Sequence, residues 1–129
     1  MLKKQITYTD YNGITRTETF HFNLNKAELV KMDLLTEGGM EERINKMIES
    51  KDHKEIVELL DSIIMKAYGE KSSDGKRLNK SDEISTAFAQ TEAYSELFIE
   101  LMSDADATAK FIAAIVPQEV PTEAVATVK

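Results

Sequence analysis

The sequence predicts an α+β, mainly α fold: an N-terminal β-hairpin packed on a bundle of about five to six short helices. Three observations predict it. Residues 2–22 alternate apolar and polar side chains around the turn dipeptide Asn12-Gly13, the pattern of a hairpin. From residue 26 onward, apolar residues recur at helical spacing, and most runs open on a residue suited to cap a helix. The chain has 129 residues, 42% hydrophobic and 30% charged, which suffices for a core of its own without suggesting disorder along its length. One globular domain is expected over 1–116, with the hairpin at 2–22, helices over 26–116, and a flexible tail at 117–129.

The hairpin register follows from where the apolar residues fall. A two-residue loop would place Ile6 and Tyr8 opposite Thr19 and Thr17 and split the apolar residues between the faces. A three-residue loop, Tyr11-Asn12-Gly13, pairs Tyr8 with Arg16 and Leu2 with Phe22, with Gly13 left-handed at a bulge. That register gathers Leu2, Ile6, Tyr8, Ile14, Phe20 and Phe22 on one face, and a slip of one residue would swap the faces. An isolated hairpin is marginal in water, so this face is expected to fold onto the helices while the outer edges stay free. Lys3 and Lys4 on the first strand suit protection of such an edge; pairing with a neighbouring subunit remains the other reading.

The first helix begins at "LNKAEL": Asn25 caps, Glu28 reaches back, and Leu24 and Leu29 are spaced as a hydrophobic staple. Its inward stripe is expected to hold Leu29, Met32 and either Leu34 or Leu35. Gly38-Gly39 breaks it. Met40, Ile44, Met47 and Ile48 give the second helix one apolar face. Asp52 and Glu55 form a capping pattern for the third, whose Ile56, Leu59, Leu60, Ile63, Ile64 and Ala67 make the widest apolar stripe and the expected centre of the core.

After Gly69, "EKSSDGKRLNK" shows no apolar period and reads as a long solvated loop. Ser81 or Asn79 then caps a short helix with Ile84, Ala87 and Phe88. A further helix carries Tyr94, Leu97, Phe98, Leu101 and Met102, and "SDAD" at 103–106 caps a last one with Phe111 and Ile115, stopped by Pro117.

The absence of cysteine excludes disulfides, thiolate metal sites and a cysteine nucleophile, and fits a reducing compartment. A net charge of −7 works against nucleic-acid binding, which rests on clustered Lys and Arg. No apolar run is long enough to span a bilayer and no signal-peptide pattern opens the chain, so a soluble, unexported protein is expected. "GEKSSDGKR" resembles a phosphate-binding loop only in composition: five residues separate Gly69 from Gly75, and Arg77 stands where a metal-binding hydroxyl is needed. His21 falls on the polar face of the hairpin and His53 in the first turn of a helix. Asp104 and Asp106 are explained by capping. No nucleophile-and-base pairing appears. The reading is therefore no enzyme, no cofactor, no metal, no nucleic acid and no membrane, with protein partners.

"ITYTDYNG" with "RTETFHFNLNKAEL", then "IIMKAYGEKSSDGKR" and "KSDEISTAFAQTEAYSELFIELMSDADATAKFIAAIVP", resembles the tail assembly chaperones of long-tailed, siphovirus-like bacteriophages, from about residue 3 to 117. The resemblance implies a non-catalytic protein of the host cell cytoplasm, absent from the mature virion. Such a protein binds the tape measure protein, keeps it soluble and helps recruit tail tube subunits. It also implies that "PQEVPTEAVATVK" suits the unshifted product of a gene with a programmed frameshift. Two other roles share the composition: a structural tail-completion or connector protein, and a small acidic regulator of a host protein. Six methionines on amphipathic helices suit an apolar helical client, although each taken alone is better explained by core packing. The candidate partner or homo-oligomer contacts are Ile6, Tyr8, Phe20 and Phe22 on the hairpin. In the loop they are Lys76 and Arg77, which cluster with Lys71 and Lys80 and suit a rim contact with an acidic protein.

Overall fold

A computed structural model of the chain describes residues 1–49 and 53–117. Strands β1 (Leu2–Thr9) and β2 (Thr15–Phe22) pair antiparallel with Tyr8 opposite Arg16 and Leu2 opposite Phe22, the register that the apolar pattern demands. Gly13 takes φ +80°, and Asp10 N donates to Ile14 O at 2.8 Å, closing a three-residue loop. Asp10 fixes this turn with its side chain, accepting from the backbone N–H of Asn12 and Ile14, each at 2.9 Å, and from Arg16 Nε at 2.6 Å. Ile14, expected on the buried face, is 53% exposed, because the turn extends past the helices.

Helices α1 (Lys26–Leu35), α2 (Met40–Glu49) and α3 (His53–Ala67) follow. Asn25 and Glu28 form the reciprocal capping box at the head of α1. The inward stripe expected of α1 fails at its C-terminal end: Leu34 and Leu35 are both exposed, Leu35 at 87%. Only Met32 of this helix packs on the core. The reason is the turn beyond it, where Thr36 Oγ1 donates to Met32 O at 2.6 Å and Gly38 and Gly39 take positive φ. The chain reverses there before the last turn of α1 meets another element. α3 is central, burying Leu59, Leu60, Ile63, Ile64 and Ala67. The Asp52 cap, the side chain of Ile48 and the tail from residue 118 lie outside what the structure describes.

The long solvated loop is corrected. Tyr68–Lys71 and Leu78–Asn79 are strands β3 and β4, a second hairpin that extends the first into a four-stranded sheet of order β1-β2-β3-β4. β3 pairs with β2 through His21 opposite Gly69 and Phe22 opposite Tyr68, and Asn23 N continues the ladder to Ala67 O at 2.8 Å. The edge of β2 is therefore covered at its C-terminal end, against the expectation that both outer edges stay free. Gly69 is required by packing, since a Cβ there would lie 2.5 Å from Leu78 Cγ and 3.1 Å from Asn79 O.

Helices α4 (Asp82–Ala89), α5 (Glu92–Ser103) and α6 (Ala105–Ile115) complete the chain, capped by Ser81, Thr91 and Asp104. Of the two caps that the sequence allowed for α4, Ser81 serves, with Ile84 N donating to its Oγ at 3.1 Å. The core joins both kinds of structure. Phe22 lies between Phe88 of α4 and Phe111 of α6, with ring centroids 5.7 and 5.3 Å away, and Tyr68 stacks on Phe88 at 4.1 Å. No helix among the described residues is long and apolar enough to cross a membrane.

Candidate functional site

The six residues that the sequence nominates divide into two regions. On the hairpin, the alternation that aims Ile6 and Phe22 inward carries them into the core, where they keep 5% and 0% of their surface. Tyr8 and Phe20 lie on the same face toward the turn and are half-buried, their rings 6.2 Å apart. Tyr8 donates its hydroxyl to Glu18, and that hydrogen bond, with some burial, raises the phenol above its usual range. Lys76 and Arg77 are exposed on the turn between β3 and β4, at the opposite edge of the sheet from β1.

That turn is ordered from within. Asp74 accepts from Ser72 Oγ at 2.6 Å and from Lys76 N at 3.0 Å, which holds its carboxyl below the usual range. Arg77 N donates to Ser72 Oγ at 3.0 Å. Lys80, grouped with these residues by sequence, has another task. Its Nζ donates to Asn23 O at 2.6 Å and to Glu28 at 2.8 and 3.0 Å, tying the start of α4 to the capping box of α1.

An apolar groove that joins four helices was not visible in the sequence. A groove of about 190 Å³ is lined by Met47 of α2, Ile56 and Leu60 of α3, and Leu101 and Met102 of α5. His53, Ala105 and Thr108 complete its wall. Thr108 Oγ1 is satisfied by donating to Leu101 O at 2.6 Å, so the groove offers few polar groups. Helical spacing predicts which face of each helix is apolar but not which four helix ends converge; Met47 and Met102 are 55 positions apart in the chain.

Among the described residues no group of three or more His, Asp or Glu side chains is placed to hold a metal. His21 is half-buried, and burial together with the charges of Lys71 and Lys3 lowers its pKa, so it stays neutral at physiological pH. Tyr94 donates its hydroxyl to Asp61, and burial raises its pKa far above the usual range, which suits a structural link between α5 and α3.

A protein-family model described as phage tail assembly chaperone matches residues 1–128. No curated protein and no solved structure matches the chain.

Proposed function

The chain belongs to the phage tail assembly chaperone family, and we propose from that premise that it binds the tape measure protein during tail assembly. In this reading it keeps that long helical chain soluble and brings tail tube subunits to it. The family points to a non-enzymatic role with protein partners. The observation that carries the proposal is a family match along nearly the whole chain rather than over one motif.

The groove between α2, α3, α5 and α6 supports it physically. An amphipathic client helix presents apolar anchors at helical spacing, and the flexible thioethers of Met47 and Met102 adapt to anchors of different shape. Tyr8, Phe20, Lys76 and Arg77 retain surface that could serve further contacts, whereas Ile6 and Phe22 are committed to the core. The site of action is the cytoplasm of the infected cell, and the protein leaves before the virion is complete.

Co-expression with the tape measure protein tests this. The expected result is that the tape measure protein becomes soluble and co-purifies with the chain, and that Met102→Glu, which puts a charge in the groove, removes both effects while leaving the fold intact by circular dichroism. No gain in solubility and no co-purification would overturn the reading, as would stoichiometric amounts of the chain in purified virions.

A further inference from the structure

The uncovered edge of β1 has an acidic helix running beside it. Because Asp10 N donates to Ile14 O across the hairpin, alternation places the N–H and C=O groups of Leu2, Lys4, Ile6 and Tyr8 toward β2. Those of Lys3, Gln5, Thr7 and Thr9 point away from it. Among the described residues no strand pairs with that outer side, although β1 is eight residues long and contains neither proline nor a bulge, two devices that commonly block an edge.

α5 follows the strand. Lys4 pairs with Glu100 at 3.0 Å, while Tyr11, beyond the far end of β1, donates to Gln90 O at 3.1 Å. Between these points, Lys4, Gln5, Ile6 and Thr7 face Glu96, Leu97 and Glu100 across a cleft of about 220 Å³. No β2 residue lines that cleft, so it opens on the free side of the strand. The side chain of Glu96 is exposed and makes no ion pair or hydrogen bond among the described residues.

We infer that the outer edge of β1 is a docking site for an extended segment of a partner protein carrying Lys or Arg at alternate positions, which adds as a fifth strand. The dimensions agree. Alternate side chains of a strand are about 6.8 Å apart, and Glu96 and Glu100, one helical turn apart, are separated by about 6 Å along the axis. A basic side chain on the inward face of an added strand therefore meets the unpaired Glu96, and the next one on that face reaches Glu100, whose carboxylate it shares with Lys4. Backbone pairing supplies affinity, and the carboxylates select charge. Lys3 projects from the opposite face of β1, and Lys4, which does line the cleft, has its charge offset by Glu100. A net charge of −7 also draws a basic segment toward the surface. This site is distinct from the apolar groove and does not depend on which protein supplies the segment.

The test uses the full chain and a fluorescein-labelled synthetic nonapeptide alternating lysine with valine, followed by anisotropy in low salt. Saturable binding is expected. It should weaken at least tenfold with Glu96→Lys, and disappear when alternate backbone amides on one edge of the peptide are N-methylated. Thr7→Pro, at a position where proline is tolerated, removes one outward donor and leaves the β1–β2 backbone ladder intact, at the cost of the Thr7–Thr17 hydroxyl contact, and should abolish binding. If that variant does not fold, the N-methylated peptide decides alone on the unmodified chain. Equal binding of the N-methylated peptide, equal binding of a peptide alternating glutamate with valine, or no saturable binding would overturn the inference. So would a dimer of the chain alone that Thr7→Pro converts to monomer, which would assign the edge to a second copy.

Discussion

β1 and β2 run eight residues each and bury Ile6 and Phe22 beneath their own alternating pattern. β3 and β4 run four and two residues, and their buried positions, Tyr68 and Gly69, are covered by pairing with β2 and by α4. Both hairpins close on a glycine at positive φ, Gly13 and Gly75. Both turns are also braced by an aspartate that accepts backbone hydrogen bonds. The turn chemistry is shared; what differs is where the apolar surface comes from. The first hairpin brings a face of its own to the core, and the second exists because a sheet is already there to extend. Stability of the second should therefore depend on the first, and not the reverse.

Phe22→Ala is the strongest way to break that relation. Phe22 is fully buried, pairs with Tyr68 across the strands, and touches Phe88 and Phe111. Truncating a buried Phe costs about 3–5 kcal/mol, and urea unfolding of the variant should show a loss of that size. Amide exchange should also show β3 and β4 losing protection together with β2. Retention of protection at Gly69–Lys71 in this variant would refute the dependence of the second hairpin on the first.

Gly69→Ala attacks the second hairpin alone. The added Cβ would meet Leu78 Cγ at 2.5 Å and the Asn79 carbonyl at 3.1 Å, so β4 must move away from β3. Overpacking of this kind costs about 1–3 kcal/mol. Exchange should rise at Glu70–Asn79 while the β1–β2 amides stay protected.

The same contrast explains what could be read from the chain. The first hairpin was legible because alternation and Asn12-Gly13 carry both its face and its register locally, and Asn25, Ser81 and Asp104 marked helix starts in the same local way. β3 was not legible: Tyr68 and Gly69 follow α3 without a break, and nothing in "YGEK" alternates. Their strand geometry is imposed by β2, which lies more than 40 positions earlier. Leu34 and Leu35 show the converse limit, since apolar spacing says which face could be buried and not whether an element arrives to bury it. At the site, the β1 edge was legible as an edge. The carboxylates beside it were not, because helical spacing does not say that α5 is the helix lying along β1.

The smallest effect separates the two turns electrostatically. Asp10 and Asp74 both have carboxyls held below the usual range, and for both the sign is the same. The turn gains stability above the ordinary carboxylate pKa of about 3.9, and loses it as pH falls through the lowered value in the folded state. The causes differ. For Asp10 the largest is the hydrogen bond from Arg16, a charged donor; for Asp74 it is the Ser72 hydroxyl, which is neutral. Salt screens the first more than the second. A carbon-detected NMR titration should therefore place both midpoints below the ordinary value in low salt, with that of Asp10 moving upward on adding salt and that of Asp74 staying nearly fixed. Arg16→Gln should raise the Asp10 midpoint and leave Asp74 alone, while Ser72→Ala should do the opposite. If Arg16→Gln shifted both midpoints equally, the two turns would be coupled through the sheet, and the picture of locally braced hairpins would fail.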